Sequence, residues 1–352
     1  MSTPKVRFAV IGAGMIGQTH ARALTELDTA DLVVIADLDE GKAAATAQQW
    51  SVPEFTVDVE ELLRRHDIDA VTICTPSGVH ADLAVAALQA GKHVVIEKPV
   101  DVTLEAADRI ISAERESGKT VAVISQHRFD RSTEKLARSV RDGNLGRITS
   151  AIASHAWWRG QSYYDSGDWR GTWALDGGGA TMNQTVHTID LLISILGVPV
   201  EVFAYTARLA HERIEVEDTA VAVVTFDTGA LGIIHATTAA YPGLDASLRI
   251  FGSKGSAVIS DDELVFLHEN VGEAVEIAMP DGASDLNQVG EDDRLADGEE
   301  GLGDSHARQL ADFITVVTEG GAVRVGTREA RTALAVILAM YESAATGQPV
   351  KL

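Results

Sequence analysis

Residues 6–37 read VRFAVIGAGMIGQTHARALTELDTADLVVIAD. Val6–Ile11 is a short apolar run, and Gly12, Gly14 and Gly17 follow it at G-x-G-x-x-G spacing. Gln18–Leu27 then reads as helix, and Leu32–Ala36 is a second apolar run stopped by Asp37. Glycines at this spacing arise by chance and can mark no more than a strand-to-helix turn. Here they follow a strand, open a helix, and precede by 20 residues, counted from Gly17, an aspartate at the end of the next strand. That is the arrangement a dinucleotide needs. Gly12 allows the tight turn, Gly14 lets the backbone approach a pyrophosphate, and Gly17 lets the helix lie against the strand. The exposed amides of the first helical turn, at Met15 and Ile16, receive the anion. Asp37 is expected to accept hydrogen bonds from both hydroxyls of the adenosine ribose. A 2′-phosphate about 4 Å from this carboxylate would cost on the order of 4 kcal/mol per charge pair at an effective dielectric of 20. Leu38, Asp39 and Glu40 follow, and Lys42 is the first cation, so NAD is expected rather than NADP.

Outward from this unit the alternation continues. Helices are expected at about Gly41–Gln49 and Val59–Arg65, a strand at Ala70–Cys74, and a helix at Val79–Ala90. A strand at His93–Ile96, a helix at Leu104–Ser117 and a strand at Thr120–Ile124 complete the series. Near-continuous Val/Ile/Ala strands separated by helices indicate a parallel sheet covered on both faces. Residues 1–125 are therefore assigned to a doubly wound α/β domain. Residues 126–352 follow another grammar. A helix near Ser132–Asp142 leads to an aromatic-rich loop, a helix, and strand-like alternation at Val200–Arg208, Thr219–Phe226 and Ala230–Thr238. Amphipathic helices at Ser305–Val317 and Thr327–Ala345 close the chain. This predicts an α+β domain with a mainly antiparallel open sheet. Glu291–Glu300, with six acids and one Arg, reads as a solvated loop.

Composition narrows the function. The chain has 352 residues, 45% hydrophobic and 23% charged, with 29 Lys and Arg against 52 Asp and Glu, a net charge of −23. Nucleic acid and anionic membrane would be repelled. The single cysteine, Cys74, excludes an intrachain disulfide and a cysteine-built zinc site. The longest apolar candidate, Leu191–Ala204, is broken by Gly197 and Pro199 and falls short of the roughly 18 residues of a membrane span. No leader precedes the first strand, so a soluble cytoplasmic protein is expected. The closest two of the 11 histidines, His80 and His93, are 13 residues apart, so no metal site is expected. No Gly-x-Ser-x-Gly elbow marks a hydrolase.

Two constellations can carry chemistry. Lys98 stands at a strand's carboxyl end between Glu97 and Pro99, on the edge where open α/β sheets collect ligands. Its ammonium can donate a hydrogen bond to a substrate oxygen, although a lysine in a loop is most often a plain surface residue. After Gly177-Gly178-Gly179, the residues Met182, Val186, Ile189, Ile193 and Leu196 form the apolar stripe of a helix. One residue over, Asn183, His187, Asp190 and Ser194 form a polar ridge. His187 is the candidate acceptor of an alcohol proton while hydride leaves the carbon. Asp190 either fixes its tautomer or caps local structure. Trp157, Trp158, Trp169, Trp173, Tyr163 and Tyr164 fall within one stretch, interleaved with Arg159, Gln161, Asp165, Asp168 and Arg170. Such a mixture suits either a polyhydroxylated ring or a subunit interface.

The chain resembles the Gfo/Idh/MocA family, named for glucose–fructose oxidoreductase, inositol dehydrogenase and a rhizopine-catabolism protein. The resemblance covers nearly its whole length. It rests on GAGMIGQTHA at 12–21, TPSGVH at 75–80, AGKHVVIEKP at 90–99, GGGATMNQTVHTIDLL at 177–192 and YESAATG at 341–347. The resemblance implies an amino-terminal Rossmann domain and a carboxyl-terminal α/β domain whose open sheet forms a homodimer or homotetramer. It also implies bound NAD(P) and oxidation or reduction of a sugar, inositol or related polyol. Lys98 and His187 match the family's catalytic lysine and histidine. Thr75, Pro76, His80 and Glu97 fall where the family lines the cofactor, and Gln126 resembles the residue that meets the nicotinamide end. Trp157, Tyr163, Trp169 and Arg170 are the expected substrate contacts. One position departs from the pattern: many members carry Asp where this chain has Asn183, and an amide stabilises an imidazolium less than a carboxylate does. Asn183 is therefore read as a substrate-orienting group. Two further readings share the fold, an NAD-dependent redox-neutral glycosidase and a non-catalytic NAD-sensing regulator. The second makes no use of Lys98 and His187.

Overall fold

The structure is a computed structural model that describes residues 5–269 and 302–352; Glu291–Glu300 lies outside the described residues. The chain divides into two compact units, Met1–Gln126 with Gly167–Gly178 and Glu300–Leu334, and His127–Ser166 with Gly179–Glu299 and Ala335–Leu352. Among the described residues, no helix is long and apolar enough to cross a membrane.

In the first unit six parallel strands, β1 (Val6–Ile11), β2 (Ala30–Ala36), β3 (Glu54–Thr56), β4 (Ala70–Ile73), β5 (His93–Ile96) and β6 (Val121–Val123), stand in the order β3-β2-β1-β4-β5-β6. The strand order reverses between β1 and β4, and ligands of such sheets bind outside the carboxyl ends at that reversal. The helices fall close to their expected positions: Met15–Glu26, Glu40–Gln49, Val59–Arg64, His80–Gln89 and Leu104–Ser117. Asp39, Asp58 and Thr103 cap three of them, accepting from Lys42 N, Glu61 N and Ala106 N. The first helix begins at Met15, three residues before the point its periodicity suggested, because Gly14 already stands at its N-cap. Strand β3 has no apolar alternation to announce it; it is an edge strand held by pairing with Val34, Ile35 and Ala36.

The helix Leu302–Glu319 packs into this unit, although nearly two hundred residues separate it from the last strand. Leu310, Phe313 and Ile314 join Phe8 and Leu24 in the core, with the Phe8 and Phe313 rings 6.2 Å apart. Gln309 donates to Val123 O at 2.8 Å and accepts from Ser125 N at 2.9 Å, while Val123 N donates to Val325 O. These bonds satisfy backbone groups of β6, the last strand of its sheet, that would otherwise lack partners. Amphipathic periodicity announces such a helix but says nothing about which core receives it.

Among the described residues the second unit carries eight strands: β7 (Ile148–Ala156), β8 (Pro199–Ala207), β9 (Thr219–Phe226), β10 (Leu231–Thr237), β11 (Ala246–Gly252), β12 (Ser256–Ser260), β13 (Glu263–His268) and β14 (Val350–Lys351). Their order is β13-β12-β11-β7-β10-β9-β8-β14, and every pairing is antiparallel except β7 with β10. The sheet is mainly antiparallel, as expected. One face is buried through Val202, Ala204, Ala220, Ala222, Val224, Ile234 and Ala236, and the other exposes Tyr205, Val221, Val223, Leu231 and Ile233. Strand β7, ITSAIASHA, buries mostly Ala side chains. Their small apolar signal hides it in the sequence.

Candidate active site

In the first unit the glycine turn follows β1 directly. Gly12 has φ +103°, and a Cβ there would lie 2.5 Å from Cys74 O; a Cβ on Gly17 would collide with Gly12 O. Both positions require glycine. Gly14 differs, since a Cβ there would meet nothing within 4 Å. Its bareness leaves a cradle beside the helix amides, where an anion can come close. Met15 is 82% exposed at the rim, whereas Ile16 turns its side chain into the core and offers only its amide. Asp37 follows β2; one carboxylate oxygen accepts from Ala13 N at 2.7 Å and the other from Asp39 N at 2.8 Å. Each oxygen keeps lone-pair capacity for a ribose hydroxyl. Thr75 and Pro76 follow β4, and Thr75 Oγ1 is buried without a hydrogen-bond partner among the described residues. A cradle, a ring of amides, a carboxylate and an orphaned hydroxyl at the strand ends fit a bound dinucleotide.

Glu97 and Lys98 follow β5. Glu97 is buried and both of its oxygens are engaged: Oε1 with His20 Nε2 at 2.9 Å and His306 Nε2 at 3.5 Å, Oε2 with Lys98 N at 3.1 Å. Burial opposes its charge, but the bonds from the two imidazoles outweigh it and hold the carboxyl well below the usual carboxylate range. Burial likewise lowers His20, so a neutral ring donates to a carboxylate. Glu97 thus anchors the backbone of Lys98. Lys98 itself is half-buried. His80 spans two carbonyls, Nδ1 to Pro99 O and Nε2 to Thr75 O, each at 2.9 Å. It ties the loop after β4 to the one after β5. Gln126, just beyond β6, is buried. Trp169 and Arg170 also belong to this unit; the Arg170 guanidinium stands 4.5 Å from the Trp169 ring centroid.

In the second unit, Ala180–Thr185 forms a turn of π-helix that continues into the α-helix Val186–Leu196. Such widened turns recur at functional sites. Glu217, buried, accepts from Gly179 N at 3.0 Å, Thr181 N at 2.8 Å and Tyr341 Oη at 3.1 Å, fixing the start of the turn. Met182, Val186, Ile189 and Leu196 are buried as the apolar stripe, while Asn183 and His187 are half-buried, one turn apart. Asp190 accepts from Arg128 Nε and Nη2, each at 2.6 Å. This bidentate fork ties the helix Val186–Leu196 to the segment just after Gln126.

His127 stands edge-to-face on His187, ring centroids 5.0 Å apart at 83°. Its Nδ1 lies 2.8 Å from an Asp130 oxygen and 2.9 Å from an Asp262 oxygen. Burial works against its charge, but the two carboxylates push it up to about 10. A permanent cation therefore lies against the candidate base at neutral pH. None of His127, Asp262 and Glu217 stands out in the sequence. Asp262 sits in the β12–β13 turn, where an aspartate is ordinary. Each of the two His–carboxylate clusters brings three potential ligand atoms within 4.8 Å of one another. Histidine spacing along the chain could not show them.

Trp157 and Tyr163, expected to face substrate, both lie against Arg159, whose guanidinium carbon is 4.9 Å and 5.0 Å from the two ring centroids. Arg159 Nη2 donates to Gln184 Oε1 at 3.2 Å, and Gln184 Nε2 donates to Tyr163 Oη at 3.0 Å.

Residues 6–125 match a family described as oxidoreductase, NAD-binding Rossmann fold, and residues 133–258 match the GFO/IDH/MocA C-terminal domain. The chain is 33% identical over 263 residues to a myo-inositol 2-dehydrogenase of Thermotoga maritima, covering 71% of this chain and 74% of that one. It is 26% identical over 353 residues to a scyllo-inositol 2-dehydrogenase (NAD(+)) of Bacillus subtilis, covering 99% and 96%. Among solved structures, the WlbA dehydrogenase of Bordetella pertussis, in complex with NADH and UDP-GlcNAcA, superposes with a TM-score of 0.84 at 31% identity, covering 99% of each chain.

Proposed function

Because the chain belongs to the Gfo/Idh/MocA family of NAD-binding oxidoreductases, we propose that it oxidises a secondary alcohol of a sugar, inositol or related polyol, with Lys98 and His187 as its catalytic residues. Bound NAD supplies the hydride acceptor. Gly12, Gly14 and Gly17 hold its pyrophosphate at the helix start, and Asp37 holds the ribose hydroxyls and selects NAD over NADP. Lys98, its backbone fixed by Glu97, donates a hydrogen bond to the reacting oxygen. His187 takes the alcohol proton. The observation that carries this role is the His127 ring standing edge-to-face on His187; with His127 raised by Asp130 and Asp262, like charge lies beside any proton that His187 accepts, which helps it pass the proton on. Asn183, one turn earlier, orients a substrate hydroxyl through its amide; it cannot serve as the acid of an Asp–His dyad. Tyr163, Trp157, Trp169 and Arg170 line the substrate, and Gln126 meets the nicotinamide end.

The test is a screen of inositols, sugars and sugar acids with NAD and with NADP, following NADH absorbance. NAD-dependent reduction with at least one such compound is expected. Lys98→Ala is expected to abolish it while the variant still binds NAD; undiminished turnover by that variant would refute the assignment. The exposed apolar face of the sheet, with Tyr205, Val221, Val223, Leu231 and Ile233, is of the kind that joins subunits. We assign it to a homodimer or homotetramer, and Ile233→Lys with Val223→Glu should shift the mass measured by light scattering to that of the monomer. With one buried thiol and a chemistry that draws on NAD, we assign the enzyme to the cytoplasm.

A further inference from the structure

We propose that the substrate is a sugar acid and that Arg159 receives its carboxylate, an inference that rests on the oxidoreductase reading above and names its substrate class. Arg159 lies just past β7 with its backbone held on both sides. Its N–H donates to Thr238 O at 2.9 Å, and its carbonyl meets His211 Nε2 at 2.6 Å. His211 is itself fixed through Nδ1 by the buried Asp218 at 3.0 Å. The side chain is held as firmly, between the Trp157 and Tyr163 rings and against Gln184. A guanidinium stacked in this way keeps its edge donors in a fixed plane, the geometry that matches a carboxylate.

The setting makes the lack of an acidic partner informative. Acids outnumber cations by 52 to 29 in this chain. Arg7, Arg65, Arg128, Arg213 and Arg331 each bond a carboxylate through side-chain donors. Arg159 bonds none among the described residues; its one side-chain acceptor is the neutral Gln184 amide, and its Nε is buried without a partner. A half-buried cation with an unsatisfied donor calls for an anionic ligand. Gln184 precedes His187 by one helical turn, so the same helix carries the group that steadies the guanidinium and the candidate base. One cation amid neutral side chains balances a single negative charge, which favours a carboxylate over a doubly charged phosphate.

The test pairs acids with neutral parents. Initial rates with NAD are measured for D-glucuronate and D-gluconate against D-glucose, and for D-galacturonate against D-galactose, with glucose 6-phosphate as a separate arm. Binding of the same compounds to the NADH-saturated chain is followed by calorimetry. The acids are expected to exceed their parents in kcat/KM by at least about 10-fold. Arg159→Gln should raise the KM for an acid by about 10- to 100-fold, and by at least about 10-fold more than for its parent. Arg159→Lys, which keeps the charge and loses the fork, should fall between; it also carries the test if the Gln variant fails to fold. Neutral sugars preferred over acids, preference for the sugar phosphate, equal losses on acid and parent, or no acid binding would overturn the proposal and leave the redox reading standing. Acid binding that depends on Arg159 without any NADH formed would keep the proposal and remove the redox reading.

Discussion

In the first unit one carboxylate serves two imidazoles, Glu97 between His20 and His306; in the second, two carboxylates serve one imidazole, His127 between Asp130 and Asp262. Burial opposes charge in both. Where rings outnumber acids, burial keeps His20 below its ordinary value and Glu97 holds the negative charge. Where acids outnumber rings, His127 rises to about 10 and is a cation. Identical side-chain types thus reach opposite protonation states, and the ratio of acids to rings decides which. The consequences differ too. The first cluster anchors Lys98 through its backbone, whereas the second lays a positive ring against His187.

Either cluster can be disrupted by a single substitution. The largest effect is expected from Glu97→Ala, which leaves two buried imidazoles without their acceptor and should cost about 3–5 kcal/mol in urea unfolding. Arg128→Met removes the guanidinium fork from the buried Asp190 and should cost about 3 kcal/mol by the same measurement. Acidity should separate the clusters by sign. His20 is depressed and Glu97 lies below its usual range, so their contribution is present above about pH 6.5 and is lost as pH falls. His127 is raised, so its contribution is full below about pH 6.5 and is lost as pH climbs through about 10. Stability measured across pH should therefore show two limbs, the acid one flattened by Glu97→Ala and the alkaline one by Asp262→Asn. At neutral pH Asp262→Asn should cost no more than about 1 kcal/mol, because Asp262 is half exposed. The subtlest sharpening is His127→Phe, which keeps a ring edge on His187 and removes the charge. The acid limb of kcat/KM should then move to higher pH, a shift that a merely structural contact would not produce.

The first unit was the more legible because its signals are local. A strand, a glycine turn, a helix and Asp37 fit within about thirty residues, and each strand end announces the next site residue. His187 and Asn183 were legible as a polar ridge beside an apolar stripe. What stayed hidden is what the fold assembles from far apart. Glu97 meets His20 and His306, and His127 meets Asp262, across separations that no spacing rule reaches. Strand β7 hid behind its alanines, and β3 has no periodicity. The aromatic stretch also gave no sign that Arg159 would lie against both Trp157 and Tyr163.

Hydride transfer itself can be traced with isotope. A carbon-perdeuterated sugar, sugar acid or inositol that supports turnover is incubated with NAD, and the nucleotide is recovered for mass spectrometry. Deuterium is expected in the nicotinamide ring of NADH, accumulating with turnover in the wild-type chain and reduced at least about a hundredfold in Lys98→Ala. Turnover that leaves the nucleotide oxidised and unlabelled, or that releases an aglycone with no net NADH, would contradict that expectation.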